Sequence, residues 1–496
     1  MNAKKIVIIG SGFAGLSAAC FMAKSGWKVI VLEKNEQPGG RARRLLIDGF
    51  HFDMGPSWYW MPDIFERFFN CFNKTVSDYY DIVRLDPSYR IYWQNGMTDI
   101  PADYTALKNL FENIEPGSSH KLEFFLKEAA FKYKTGMNKL AYKPGLSVTE
   151  FFDTSLLQGI CKLDVFTSMK KHVRKYFKHP HIQQLLEFPV LFLGALAEKI
   201  PALYSLMNYA DIRGGTWFPG GGMYSVVEAM HKLAMELGVD FYFNKNVIKI
   251  EIENHKARAV IAENKDGTLS RYNVDAVIGN ADYHHIENNL LPAAYRNYSE
   301  NYWNKKTMAP SCLLYYVGLN KKLENIAHHS LFFDTSFQRH TAEIYKLKKW
   351  PSEPLFYVNV PSVTDAALAP LGCENLFFLI PVAAGLTDDT EELREFYFDK
   401  ILLRFEKRIK QPVKQHIIFK KTFACSNFLH DYNAYKGNAY GLANTLMQTA
   451  ILKPSIKNKK IKNLFYTGQL TVPGPGVPPA LISGEIVARQ LIKLLD

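Results

Sequence analysis

Four apolar residues, 6–9 (IVII), run straight into Gly10-Ser11-Gly12-Phe13-Ala14-Gly15, and this join constrains the chain more than any other feature in it. The apolar run predicts a buried strand, the stretch up to Gly26 a helix, and residues 27–32 (WKVIVL) a second strand ending at Glu33. Each glycine has a physical reason in such a unit. Gly10 permits the tight turn, Gly12 lets the backbone approach a pyrophosphate, and Gly15 lets the helix pack on the strand. The pyrophosphate then sits at the positive end of the helix, against the loop Ser11-Gly12-Phe13-Ala14. Glu33 falls where a carboxylate accepts hydrogen bonds from the ribose of an adenosine. The chain is expected to open with a dinucleotide-binding unit.

The next residues, 34–58 (KNEQPGGRARRLLIDGFHFDMGPSW), narrow the ligand. An arginine after paired glycines can reach the same pyrophosphate, because its planar donor fork matches phosphate oxygens. Arg41 is assigned that role, and Arg43 and Arg44 are read as a solvated basic turn. The segment resembles the first cofactor-binding segment of the FAD-dependent amine oxidases, protoporphyrinogen oxidases and carotenoid desaturases. The resemblance implies FAD rather than NAD, with Lys34, Gly40, Arg41, Met54, Gly55 and Pro56 at the cofactor.

The C-terminal stretch 463–491 (NLFYTGQLTVPGPGVPPALISGEIVARQL) reads as strand, Gly/Pro-rich loop and helix. Gly468, Gly476 and Val477 are expected at the flavin ring. There the backbone N–H groups and the positive helix end favour the negative charge that gathers on a reduced flavin. Residues 220–222 (GGG) and the strand through Val247 look like the middle FAD segment of the same family, with Val247 at the adenine. The expected fold is α/β: a discontinuous Rossmann-like FAD domain from about 1–70, 215–285 and 455–496, a mixed-sheet substrate domain at about 286–454, and a helical membrane-facing region at about 71–214.

Residues 430–454 (HDYNAYKGNAYGLANTLMQTAILKP) with the C-terminal loop are similar to the bacterial-type phytoene desaturases. Two departures, Gln469-Leu470 after Gly468 and the pair Pro478-Pro479, leave substrate and step number open. The resemblance implies FAD-dependent desaturation of phytoene or a partly desaturated carotene, with oxygen or a quinone reoxidising the flavin. The alternatives are a desaturase, isomerase or oxidase of a later, hydroxylated or C30 carotenoid, a non-catalytic isoprenoid escort of the same fold, and an amine oxidase. Such a substrate must be held by apolar shape, and Trp58, Tyr59 and Trp60 can offer ring faces to the cation that hydride loss creates. No residue is assigned as the base.

The net charge of +12 needs a location. Residues 161–178 place Val165, Phe166, Met169, Val173, Tyr176 and Phe177 on one helical face and Lys170, Lys171, Arg174, Lys175 and Lys178 on the other. That pattern predicts an amphipathic helix on an anionic membrane surface, through which a bilayer-dissolved carotenoid enters. No apolar run is long enough to span a bilayer, and the glycines interrupt the signal-like start, so a cytoplasmic, peripherally membrane-bound protein is expected. Six scattered cysteines fit a reducing compartment. The histidines, including His172, His179, His181, His284 and His285, lack partners at metal spacing, so no metal is expected. No hydrolase or P-loop motif and no nucleic-acid motif occurs.

Overall fold

The computed structural model describes residues 3–151 and 163–495. Five parallel strands form one sheet in the order Leu464–Tyr466, Ala276–Gly279, Lys5–Ile9, Lys28–Leu32, Asp240–Tyr242. Strands from both ends of the chain and from its middle thus share one sheet. Alternation along the first strand explains its layers. Ile6 and Ile8 pack with Leu16, Cys20, Met230 and Ile486 from the helices, whereas Val7 and Ile9 pack with Val247, Ile250 and Val260. The latter belong to a three-stranded antiparallel sheet, Lys245–Glu253, Lys256–Asn264 and Leu269–Asn273. A strand covered on both faces needs an unbroken apolar run, which residues 6–9 supply. Each such side chain, fully buried, contributes roughly 1.5–3 kcal/mol.

The helix Phe13–Lys24 ends before Gly26, whose φ of +85° turns the chain toward the next strand. It lies against the C-terminal helix Val477–Leu495, where Ser17 Oγ donates to the Leu481 carbonyl at 2.7 Å. A side chain on Gly484 would meet the Ala14 carbonyl oxygen at 2.3 Å, so the two helices touch backbone to backbone.

The second sheet has seven strands in the order Ile417–Phe423, Ser311–Leu319, Glu374–Val382, Phe356–Asn359, His329–Phe333, Tyr89–Trp93, Met97–Ile100. It is mixed, because His329–Phe333 pairs in parallel with Tyr89–Trp93 while the other pairs are antiparallel. Leu313, Tyr315 and Val317 face the helix Glu391–Ile409 through Phe398, Ile401 and Phe405. Their alternates Cys312 and Leu314 face the other way, toward the cavity described below.

The basic stretch departs from expectation. Its helix is short, Met169–Tyr176, and residues 161 and 162 lie outside the described residues. Met169, Val173 and Phe177 are wholly buried, so the face assigned to lipid packs inside the protein. Arg174 pairs with Glu187 at 2.6 Å, Lys170 pairs with Glu198, and Lys175 lies 3.9 Å from Glu128. Of the apolar set only Phe166 is strongly exposed, at 86 %. No helix among the described residues is long and apolar enough to cross a membrane.

Candidate cofactor and substrate cavity

Gly10, with φ of +99°, donates its N–H to the Leu32 carbonyl at 2.8 Å, which ties the turn to the second strand. A side chain on Gly15 would come within 2.2 Å of the Gly10 carbonyl oxygen and 2.4 Å of Asn280 Nδ2. Glycine there is a packing requirement. Glu33 is buried, and its Oε2 accepts both the N–H and the Oγ–H of Ser11 at 2.8 Å. Its Oε1 accepts the backbone and side-chain N–H of Asn35 at 2.9 Å. The carboxylate therefore braces the glycine loop, and its remaining lone pairs are what a ribose can use.

Arg41 is half-buried; burial lowers its basicity and the nearby Asp282 opposes that. One terminal nitrogen donates to the Asn438 carbonyl at 3.3 Å, while Nε has no partner among the described residues. Gly55 is glycine because a side chain would strike the Arg41 carbonyl oxygen at 2.6 Å. Arg43 is not a solvated turn residue: it is buried, paired with Asp431 at 2.6 Å, and bonded to Asn35 and Tyr432. Arg44 is partly exposed beside Glu228 at 3.4 Å.

At the C-terminal loop, the Gly468 N–H donates to Ser483 Oγ at 3.0 Å, and Gly468 and Gly476 have φ of +105° and +113°. The helix starting at Val477 points its N-terminus at the same space. Asn280 joins the two ends of the chain. Its amide donates to the Gly10 carbonyl at 2.9 Å, and its oxygen lies 3.6 Å from where a Gly468 side chain would sit.

These groups open on one cavity of ≈ 770 Å³. Gly10, Gly12, Phe13, Ala14, Glu33, Lys34, Gly40, Arg41, Gly55, Pro56, Val247, Gly468, Gly476 and Val477 all line it. Ser11, Gly15 and Met54 stand behind its wall: Ser11 holds Glu33, Gly15 packs under Asn280, and the Met54 carbonyl accepts the Tyr316 hydroxyl at 2.8 Å. Beyond the loops the wall turns apolar, with Trp58, Trp60, Phe188, Leu331, Phe333 and Leu379. The aromatic triplet is split. Trp58 and Trp60 face the cavity, whereas Tyr59 is buried in the core, stacked on Phe65 at 4.3 Å and hydrogen-bonded to Tyr80.

Three carboxylates line the cavity among the described residues, Glu33, Asp282 and Asp431. Each is committed near the loops: Glu33 to Ser11, Asp282 to the backbone N–H groups of His284, His285 and Tyr435, and Asp431 to Arg43. Outside the cavity, Glu128, Asp164 and His172 come together, with the Lys132 ammonium 2.8 Å from Asp164 supplying the cation. The sequence reading found no acid partner for His172; the structure brings Asp164 from the preceding turn and Glu128 from the distant helix Ser118–Thr135 to it.

The family of flavin-containing amine oxidoreductases matches residues 13–321. A carotenoid 3,4-desaturase of Haloarcula japonica is 40 % identical over 495 residues, covering 99 % of each chain. The chain belongs to the carotenoid desaturases of this family. The zeta-carotene-forming phytoene desaturase of Myxococcus xanthus is 28 % identical over 99 % of this chain and 94 % of its own. An oxidoreductase from Methanosarcina mazei, 17 % identical, superposes with a TM-score of 0.63 over 99 % of this chain and all of its own, which speaks to the fold alone.

The protein is accordingly an FAD-dependent oxidoreductase, and its cavity fits the cofactor. Glycines 12 and 40 leave bare backbone on the wall, Arg41 keeps a guanidinium N–H with no partner among the described residues, and a helix N-terminus faces in at Val477. Donors of that kind suit a pyrophosphate and an electron-rich ring edge. Asn280 escaped the sequence reading because an asparagine after a strand carries no signal until the loop it braces is placed in space.

Proposed function

We propose that this desaturase introduces a double bond into a carotenoid, with 3,4-desaturation of a late carotenoid favoured over desaturation of phytoene. The full-length match at 40 % identity carries this preference, set against 28 % for the phytoene enzyme. FAD, when bound, supplies the two-electron acceptor that takes a hydride from an allylic carbon.

The chain's own residues set the geometry. A polyene has little that polar groups can grip, so Trp58, Trp60, Phe188 and Phe333 position it by shape and exclude water. Trp58 is held rigid by stacking on His329 at 4.2 Å and 10°. Its indole is placed to face the positive charge that spreads over the polyene after hydride loss. Backbone N–H groups at Gly476 and Val477, with the helix behind them, favour negative charge at the opposite side of the reaction. Oxygen or a quinone serves as final electron acceptor.

Membrane contact belongs to this proposal, relocated from the buried helix face to the cavity rim. Leu146, Val148, Phe166, Met447 and Leu452 are exposed, beside Lys143, Thr449 and Ala450 of the cavity wall. The two rim loops adjoin, since a side chain on Gly145 would lie 3.5 Å from the Ala450 carbonyl oxygen. An apolar rim beside Lys143 suits an anionic lipid surface.

Expression in a pigment-free host that makes either phytoene or a late carotenoid, followed by chromatography of the extract, tests the assignment. A longer-wavelength product from the late carotenoid alone is expected. Conversion of phytoene alone would reverse the preference, and no conversion of either would remove it.

A further inference from the structure

Ser57 lies where the two halves of the cavity join, after Gly55-Pro56 at the cofactor end and before Trp58 of the apolar wall. It also heads a hydrogen-bonded chain that leads away from the cavity. Its Oγ is 3.0 Å from the hydroxyl of Tyr357, which lines the cavity too, and that hydroxyl is 2.7 Å from Nδ1 of His329. His329 stands behind the wall, wholly buried, on the strand paired with that of Tyr357.

The network fixes which group donates. The Asn359 amide nitrogen is oriented by donating to the His328 carbonyl at 3.1 Å, and it lies 3.4 Å from His329 Nδ1. Nδ1 is therefore an acceptor, and the single ring proton is on Nε2. The Tyr357 hydroxyl donates to Nδ1 and, having one proton only, accepts from Ser57. All three groups thus point one way, from Ser57 through Tyr357 to the imidazole. Burial and the neighbouring His328 hold the ring's pKa well below its ordinary value, so the ring rests neutral. Other bases on the wall are engaged among the described residues. The three carboxylates are committed near the loops, His340 uses its Nδ1 lone pair on the Leu355 N–H, and His285 lies between the Asn289 and Asn433 amides.

We infer that Ser57, Tyr357 and His329 form the proton-accepting relay of the reaction. Ser57 Oγ takes a proton from the polyene cation that hydride loss leaves, Ser57 passes its own proton to Tyr357, and Tyr357 passes its own to His329 Nδ1. The electron pair of the broken C–H bond becomes the new double bond, and the net products are a neutral polyene and an imidazolium. Ser57 is the catalytic residue of this step, and His329 acts through Tyr357. The inference rests on the desaturase reading above and supplies the base it lacks. A polyene cation is a far stronger acid than an imidazolium, so a weakly basic ring suffices, and weak basicity keeps that ring unprotonated until the cation forms. The Trp58 ring stacked on His329 at 4.2 Å offers the imidazolium a π face.

The test uses FAD-loaded wild type, Ser57→Ala, Tyr357→Phe and His329→Gln in liposomes, without oxygen, each given one turnover of carotenoid. Product formation, flavin content and the polyene dissociation constant are measured for each. Each variant is expected to form product about 100-fold more slowly, the usual range for losing a proton acceptor, with flavin content and polyene binding unchanged. A polyene deuterated at the carbon that yields the proton should show a larger isotope effect in the variants than in wild type. His329→Gln keeps an acceptor for the Tyr357 hydroxyl but no site for a proton, so it separates the relay from mere positioning of Tyr357. 15N NMR of histidine-labelled protein, with the His329 signal identified by its loss in His329→Gln, should show the ring of wild type becoming doubly protonated in that turnover. Wild-type rates in Tyr357→Phe or His329→Gln, losses accounted for by weaker polyene binding, or a ring that stays neutral while wild type forms product would overturn the inference alone. Failure of wild type to turn over the polyene would overturn the desaturase reading as well.

Discussion

Asn280 and Gly10 lie on neighbouring strand ends, and the Asn280 amide holds the Gly10 carbonyl at 2.9 Å while its oxygen borders Gly468. One side chain therefore sets the distance between the Gly10 loop and the Gly468 loop, the two proposed to hold a pyrophosphate and a flavin ring. Asn280→Ala removes that brace and leaves a carbonyl unmatched, a loss of about 1–2 kcal/mol. Cofactor affinity should fall roughly tenfold. Titration of apoprotein followed by flavin fluorescence measures it, and unchanged affinity would remove Asn280 from the cofactor site.

Gly484 separates packing from backbone freedom. Gly484→Ala drives a methyl to 2.3 Å from the Ala14 carbonyl oxygen, and overpacking of this kind costs about 1–3 kcal/mol or more. Gly26→Ala meets nothing within 4 Å and suffers only from its φ of +85°. Chemical denaturation should rank Gly484→Ala as the more damaging, with a matching loss of bound flavin only there.

Asp211 gives a pH dependence with a definite sign. Burial raises its pKa from 3.8 to about 7, against hydrogen bonds from Tyr89 and Thr216. Between those values the folded chain keeps a proton that the unfolded chain has lost. The associated stability is fully present below about pH 4 and is lost as pH rises through about 7. Asp211→Asn cannot titrate, so its unfolding free energy should fall less steeply over that window, by up to about 1.4 kcal/mol per pH unit. Parallel denaturation curves from pH 5 to 8 read this directly, and identical slopes would contradict it.

Trp58 links the apolar wall to the chemistry. Trp58→Leu keeps an apolar surface but loses the stacked ring, so kcat/KM on the carotenoid should drop about 10–100-fold with flavin content unchanged. Equal activity would mean that the ring does no more than fill space.

The N-terminal unit was legible because its requirements are local. A strand, three glycines and Glu33 lie within one short stretch, and Gly39-Gly40-Arg41 follows directly. What escaped was set by partners distant in the chain. Arg43 looks like a surface charge until Asp431, on the helix Cys425–Tyr432, comes to 2.6 Å. Glu33 looks free until Ser11 is seen to hold it. Helical periodicity separates apolar from basic side chains only within Met169–Tyr176, the part of 161–178 that is helical, and it does not say what covers the apolar face. Here the protein's own core does, through Met169, Val173 and Phe177. The split of Trp58 and Trp60 from Tyr59 is the ordinary alternation of an extended segment, which adjacency in sequence concealed.

The central claim is that the flavin bound by the glycine loops and the polyene in the apolar wall react with each other. Purified FAD-loaded protein should be mixed without oxygen with liposomes carrying the carotenoid, and flavin and polyene absorption followed together. Loss of the oxidised-flavin band in step with a red shift of the polyene, one product per flavin, is the predicted result. A flavin band that stays oxidised while carotenoid is bound would contradict the account.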